Sequence, residues 1–542
     1  MNNFFDSYIN TNFYLPKNVE KEIIEKSLNL INKIRAALRT NTQITICGDY
    51  DVDGIASSVF LQEMIEHYAK FKKREIKISI YIPSREDGYG LSIDTFNNLI
   101  KENHYVFTLD NGTHREFLNK IPDLSKDKIF IIDHHPNGDT SKYPYVLNPN
   151  KNGDLVISTS YLLDYVFQLL LQVDKEYAKT ISRYEYADLV AMSLVSDMAD
   201  LNNTRVRNLI EMGLKRIEQK ERVVYQYLFP LKNQKVTYNN IAFDLNPRFN
   251  SIGRLSSNPV DATTILKFKD ITNRAKKSYE YLNSVNDIRK EHLFEFNEKA
   301  LSEINVKGNE NLIFYFNKSI PIGLNGLIAQ KINERYNIPT IVASESLRGE
   351  IKGSGRGFGV KFVLNTIQDN DIFNYGGHNE AIGCTIKDLE IFKKKVDFIN
   401  TKKLYIQKEF KNLIIDENIS LDKYISLSKE FSQITKTIPF KQKLFVSLQN
   451  VDLKIKKVFK NNFCYLEVID KQNPEMKFLY FTKHNTSIEI VENKEPFFMP
   501  IYAEFNESKI LRDFSGDLLL KKDLELIQSN NNELEEFKTL TL

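Results

Sequence analysis

Three aspartates alternate in GDYDVDG, residues 48–54: Asp49, Asp51 and Asp53. Carboxylates crowded on one tight turn repel each other unless a cation sits among them. A calcium-binding EF-hand loop needs a Glu at its twelfth position. Counted from Asp49 that position is Phe60, so the calcium reading fails. Asp110 stands alone in TLDNG, where an aspartate before Asn-Gly also reads as a plain turn residue. IIDHHP, residues 131–136, sets His134 and His135 side by side after Asp133. Neutral imidazole ligates Zn, Mn or Fe, and a neighbouring carboxylate fixes its tautomer. Asp197 and Asp200, in SLVSDMADL, would by themselves read as a helix-end cap. Together these carboxylates and histidines can hold two divalent cations. A carboxylate shared by metals ~3.5–4 Å apart is a standard device for hydrolysing phosphate esters. Mixed oxygen and nitrogen ligation favours Mn²⁺, with Mg²⁺ as second choice.

The elements around these residues must bring them together. Ile44–Cys47, Lys77–Ile82, Val106–Leu109 and Ile129–Ile132 read as strands, and Asn97–Glu102 and Thr159–Leu171 as helices. The alternation predicts a parallel α/β sheet. Three of the strands run straight into acidic residues, at Asp49 to Asp53, at Asp110 and at Asp133. Open α/β sheets bind ligands just beyond the carboxyl ends of their strands, so these residues are expected to be neighbours in space.

With 542 residues, the chain is expected to form several domains. The expected division is a catalytic domain with an N-terminal extension over 1–270, a connecting helix over 271–305, a second α/β domain over 306–400 and a β-rich region over 401–542. The connecting helix is read from Tyr279, Leu282, Val285, Ile288, Leu293, Phe296 and Ala300 at near-helical spacing. Asn311–Phe316 and Thr340–Ala343 open the second unit. Past 440, runs such as KLFVSL and FCYLEVI suggest five or so strands and a small OB-like barrel. No apolar run reaches membrane-spanning length, and the N-terminus lacks the pattern of a secretory signal. Three scattered cysteines, Cys47, Cys384 and Cys464, read as reduced thiols, which with the rest predicts a cytoplasmic protein without membrane contact. A net charge of +3 neither demands nor excludes nucleic acid.

DYDVDG, LDN, DHHP and SDMAD occur in the order and approximate spacing of the DHH phosphoesterases, and the chain resembles that superfamily over roughly residues 40–390. The resemblance implies Asp51, Asp53, Asp110, His134 and Asp197 as metal ligands, with Asp110 as the bridge. It places His135 toward the scissile phosphate and Asp133 behind the histidines. Asp49 ligates or supports. Many relatives carry histidine where Cys47 stands, so a metal contact from that position is not expected.

YIPSREDGYGL (81–91), NPRFNSIGRL (246–255) and IPIGLNGLIAQKI (320–332) are similar to segments of the RecJ-like branch. IKGSGRG (351–357) and YGGHNEAIGCTI (375–386) are similar to the glycine-rich motifs of the DHH-associated domain. Relatives usually show Ser where Gly357 stands, and a Trp-His pair near Ser319 and Ile320 is absent.

Glycine lets backbone approach an anion and aim its N–H groups at it. Ser354 and Arg356 on a Gly-rich loop, and Gly376, Gly377 and His378, are therefore candidates for gripping a nucleotide phosphate. Arg248, Asn250 and Arg254 either line the nucleic-acid path or form an interdomain network. KIKKVFKNNF (454–463) alternates cations with apolar residues, as a strand binding single-stranded nucleic acid does, and as an ordinary amphipathic strand does too. No Walker A loop occurs, so ATP use is not expected.

The resemblance implies a monomeric exonuclease releasing 5′-mononucleotides from the 5′ end of single-stranded DNA, in repair and recombination, recruited by a single-stranded-DNA-binding protein. The alternatives are a phosphodiesterase for short oligonucleotides or cyclic dinucleotides, disfavoured by the additional C-terminal region, and a non-catalytic DNA-binding scaffold, disfavoured by the retained ligand positions.

Overall fold

The computed structural model describes residues 17–402, apart from 87–89, 103, 137, 202, 256–257, 308–309 and 378. Beyond 402 it describes a few isolated positions and the backbone of strands between Leu413 and Leu520. These residues divide into two compact units. One runs to Gln330 and resumes over Pro339–Thr401; the other comprises Lys331–Ile338 and the chain from Lys402 on.

The first unit opens with helix α1 (Lys17–Thr40) and a sheet of β1 (Ile44–Cys47), β2 (Ile78–Tyr81), β3 (Tyr105–Leu109), β4 (Ile129–Ile132) and β5 (Val146–Leu147). The order is β2-β1-β3-β4-β5 and every pairing is parallel. The residues of β1 and β4 are all buried, as strands covered on both faces must be. From β1 the chain goes first to one side, as β2, and then to the other, as β3. The carboxyl ends of β1 and β3 therefore flank the point where strand order reverses, where such sheets open a crevice.

Three helices frame that crevice: α2 (Val52–Phe71), α3 (Thr159–Val173) and α4 (Ala187–Ser196). The helix read over Asn97–Glu102 spans Ile93–Lys101, because Ser92 accepts from Thr95 N at 3.1 Å and caps it a turn earlier. NPRFNSIGRL folds as helix α5 (Asn246–Leu255), preceded by a π-helical turn at Asn240–Leu245.

Helix α6 (Asn273–Glu303) is the long helix read over 274–304, capped by Thr272. At ~1.5 Å per residue it spans about 46 Å. Its buried face is narrower than the periodicity implied: Leu282, Val285 and Ala300 are buried, whereas Ile288 is 44% exposed.

The second sheet of this unit is mixed, in the order β6-β7-β8-β10-β9: β6 (Ile313–Phe316), β7 (Thr340–Glu345), β8 (Ile351–Arg356), β9 (Phe373–Gly377) and β10 (Ala381–Ile386). Only β6 and β7 pair in parallel. Here the structure corrects one expectation: Arg356 ends a central strand and does not ride a loop. The glycines serve packing. A Cβ on Gly353 would lie 2.6 Å from Cys384 Sγ, and one on Gly355 would lie 2.7 Å from the Ile382 side chain. Only glycine lets β10 lie this close.

The second unit is β-rich, as expected, and its described strands form two four-stranded sheets; seven of them lie past 440, where about five were read. LKIKKVFK, FCYLEVID and KFLYFT form an antiparallel meander. Cys47 and Cys384 are free and buried. Among the described residues, no helix is long and apolar enough to cross a membrane.

Candidate metal centre

The aspartate turn doubles back on itself. Asp51 caps α2 by accepting from Gly54 N at 3.2 Å. A Cβ on Gly54 would lie 2.4 Å from the backbone of Asp49, so position 54 admits glycine alone. Asp53, fully buried, is anchored by the start of α3: Thr159 N donates to Oδ2 at 2.7 Å and Ser160 N to Oδ1 at 3.2 Å. The positive end of the helix thereby offsets the buried charge. Ser193 Oγ, on α4, donates to Asp53 as well.

Asp110 follows β3 in the left-handed region, at φ 66°. A non-glycine residue held there costs of order 1 kcal/mol or more, and such residues cluster at functional sites. Asp197 follows α4, with its N–H still bonded to Ser193 O.

His134 joins these carboxylates. Its Nε2 lies 3.2 Å from both Asp110 Oδ1 and Asp197 Oδ2, and 3.6 Å from Asp53 Oδ2. His135 Nδ1 lies 2.8 Å from Asp133 Oδ1, which also accepts from the N–H groups of both histidines. Three sets of ligand atoms each lie within 4.8 Å of one another: Asp49, Asp51 and Asp110; Asp53, His134 and Asp197; Asp110, His134 and His135. Asp110 belongs to two of the sets. Asp200 belongs to none.

The electrostatics call for a cation. Burial, and then the Asp51 charge, pushes the Asp49 carboxyl up to about 8. Burial and Asp53 push Asp197 up to about 7. Asp110 is raised well above the usual range by burial and by Asp53 and Asp51. Burial opposes charge on the histidines, but Asp197 lifts His134 to about 9 and Asp133 lifts His135 to about 10. Asp49 Oδ1 is buried without a hydrogen-bond partner among the described residues. Carboxylates in excess, imidazoles and an orphaned oxygen fit divalent cations.

The pKa shifts set a testable pH dependence. The raised carboxyls keep protons in the folded state that the unfolded chain has lost. Without metal, stability therefore falls as pH rises from about 4 to about 8. The histidines contribute stability that is complete below pH 6.5 and lost as pH rises through about 9 to 10. A cation must displace these protons, so Mn²⁺ should stabilise more at high pH. The Mn²⁺-induced rise in melting temperature is expected to be larger at pH 8.5 than at pH 6, by about 3 °C or more. Differential scanning fluorimetry with Mn²⁺ and with a chelator checks this; a rise independent of pH would contradict it.

Beside the aspartate turn sits a cluster of arginines. The Arg85 guanidinium lies 4.0 Å from the centre of the Tyr50 ring and donates to Gly253 O at 3.0 Å. Arg254 donates to Gly323 O at 2.7 Å. Burial, then Arg85 and Arg356, push Arg254 down to about 9. Among the described residues, none of Arg85, Arg254 and Arg356 forms a salt bridge, so an anion suits the place.

Other predicted residues lie elsewhere. Arg248 bonds Asn283 Oδ1 on α6 at 2.7 Å, and Asn250 accepts from Val52 N at 3.2 Å, supporting the aspartate turn. Ser354 is half-buried in β8, and Gly376 and Gly377 lie in β9, at an edge of the second sheet. His378 lies outside the described residues. Arg85, Thr113, Asn148, Asn150 and Ser193 were not singled out beforehand. Of these, only Arg85 sat in a segment already marked by resemblance.

Residues 43–194 match the DHH family, N-terminal domain. The chain is 28% identical over 400 residues to the single-stranded-DNA-specific exonuclease RecJ of Salmonella typhimurium, covering 66% of each. It is 24% identical over 372 residues to RecJ of Bacillus subtilis, covering 66% of this chain and 45% of the relative. A putative single-strand DNA-specific exonuclease of Bacillus phage SPbeta is 24% identical over 411 residues, covering 70% of this chain and 68% of the relative. The matches thus span between about half and just under two thirds of the two RecJ relatives' length. Among solved structures, RecJ from Thermus thermophilus in complex with Mn²⁺ aligns with a TM-score of 0.67 at 19% identity, covering 92% of this chain and 70% of that one. Another exonuclease RecJ, bound to manganese, aligns at 0.58 with 22% identity, covering 70% and 95%. At these identities the likeness is one of fold.

Proposed function

We propose that the chain is a RecJ-like member of the DHH family, a reading its matches support, and that it hydrolyses single-stranded DNA from the 5′ end with divalent cations, releasing 5′-mononucleotides. The observation that carries this reading is the clustering of Asp49, Asp51, Asp53, Asp110, His134, His135 and Asp197 at the strand-order reversal. Asp51, Asp53, Asp110, His134 and Asp197 would hold two cations, Mn²⁺ in preference to Mg²⁺, with Asp110 shared and Asp49 supporting. Bound there, the cations supply a water of lowered pKa and offset charge on the scissile phosphate.

The protein's own groups do the rest. Asp133 holds His135 by Nδ1 and so orients the ring that would face the scissile phosphate. Arg85, Arg254, Arg356 and Ser354 would anchor a phosphate of the strand, and Gly376, Gly377 and His378 another. Arg248 and Asn250 act by shaping this path. Residues 1–270 would be the catalytic domain, 271–305 the connector and 306–400 the substrate-binding domain, with 401–542 adding nucleic-acid surface. A cytoplasmic monomer recruited by a single-stranded-DNA-binding protein completes the reading.

The test uses oligonucleotides labelled at either end, as single strand and as blunt duplex, with Mn²⁺, Mg²⁺ or chelator. Mononucleotides released stepwise from the 5′ end of the single strand, only with metal, are the expected result. Intact long strands alongside cleaved dinucleotides or cyclic dinucleotides would overturn it.

A further inference from the structure

Two buried asparagines outside the carboxylate cluster hold the main chain of the paired histidines. β5 runs parallel to β4 and delivers Asn148, Pro149 and Asn150 beside the turn that carries His134 and His135. Asn148 Nδ2 donates to His135 O at 2.8 Å and to Thr113 Oγ1 at 3.3 Å. Thr113 in turn donates to Asp133 Oδ2. Asn150 Nδ2 donates to His134 O at 2.7 Å and to Leu155 O at 2.9 Å, while its Oδ1 accepts from Gly153 N and Leu155 N. Asn150 thereby uses its full hydrogen-bonding capacity.

From Asp133 on one side and the asparagines on the other, the histidines' N–H and C=O groups are all held. Main-chain groups in a turn are ordinarily left to water, and the turn then moves. Here the main chain that carries both rings cannot shift without breaking bonds to residues that are 2% and 5% exposed.

We propose that Asn148 and Asn150 are positioning residues that fix His134 against the shared carboxylates and His135 at a set distance from it. This rests on reading the site as a metal centre. A displacement of about 1 Å at such a site costs on the order of 10²-fold in rate, so the clamp is worth as much to turnover as many direct contacts.

The test replaces Asn148 in the full-length protein. Asn148→Asp keeps the Oδ1 that accepts from Asn150 N at 3.0 Å and removes the donor to His135 O. Asn148→Ser shortens the side chain and removes both. Melting in chelator, Mn²⁺ binding by calorimetry and electron paramagnetic resonance without DNA, and kcat and KM on single-stranded DNA are measured. Asn148→Ser should melt within about 5 °C of wild type in chelator, and Asn148→Asp lower, because its new carboxylate is buried. They should bind Mn²⁺ about 10- to 100-fold more weakly, with an altered resonance signal. Their kcat should fall about 10²-fold at a KM within about 3-fold.

Folded variants with wild-type Mn²⁺ binding and kcat would overturn the proposal, as would a loss confined to KM or a collapse of both variants in chelator. Wild-type protein that binds no Mn²⁺ would instead remove the metal centre itself, and the clamp with it.

Discussion

Asp110→Asn should lose at least about 10³-fold in kcat, equivalent to about 4 kcal/mol of transition-state stabilisation, while remaining folded. Asparagine matches aspartate in shape and tolerates the left-handed backbone that position 110 adopts, at φ 66°. The geometry of the turn therefore survives the change and only the charge is lost. That charge is the one on which two of the three ligand sets converge. On the proposed two-cation reading, loss of the shared carboxylate costs the pair both its spacing and part of its affinity. Without metal the sign reverses. Asp110 is buried against Asp53 and Asp51, which hold its pKa well above the usual range. Removing a charge that its surroundings oppose should leave the metal-free variant at least as stable as wild type, an instance of activity and stability pulling apart. Turnover on labelled single strands and melting in chelator check the two halves. Substantial activity in the variant would remove Asp110 from its shared role, and a marked fall in metal-free melting temperature would make it a structural residue.

The sequence was most informative where residue type and local spacing coincide. Ile44–Cys47 is a strand to the residue, because a β-branched run ending in a tight acidic turn fits little else in an α/β chain. The crowding of Asp49, Asp51 and Asp53 already announced a cation, and strand ends explained how Asp110 and Asp133 would join them. What stayed hidden lies in long-range pairing by groups without a signature of their own. Asp53 is held by the N–H of Thr159, 106 positions away, and by Ser193, 140 away. A backbone amide looks the same everywhere in a sequence, and a serine in an apolar helix reads as filler. Arg248 and Asn250 carry charge and polarity fit for a substrate path, yet turn inward to Asn283 and Val52. The glycines of IKGSGRG suggested a loop, because the Ile382 and Cys384 side chains that need the space are some thirty residues further on.

Arg222→Ala should be the most destabilising single change away from the metal centre, at about 3–5 kcal/mol and so about 10 °C or more in melting temperature. The guanidinium is 3% exposed. It forks onto both oxygens of Glu63, at 2.9 and 3.1 Å, and gives Nε to Asp188 at 2.6 Å. Truncation removes the cation between two buried carboxylates and leaves Glu63, among the described residues, with only the more distant Lys269 Nζ, at 3.8 Å. Although burial opposes its charge, Asp188 is held below the usual carboxylate range by Arg222. That contribution is present above about pH 4 and lost as pH falls, so the variant's deficit should shrink in acid. The bond also reaches the site. Glu63 lies on α2, which starts at the aspartate turn, and Asp188 lies on α4, which ends at Asp197. Arg222 thus ties together the helix that carries Asp53 and the helix that ends at Asp197. Replacing all three members with apolar residues, as in Arg222→Met with Glu63→Leu and Asp188→Leu, should restore most of the stability, because the loss comes from the stranded charges and less from the contact itself. If the triple variant melts as low as Arg222→Ala, the ion cluster is needed to set the angle between α2 and α4. Its turnover should then fall along with its stability, whereas a recovered triple variant should turn over at close to the wild-type rate.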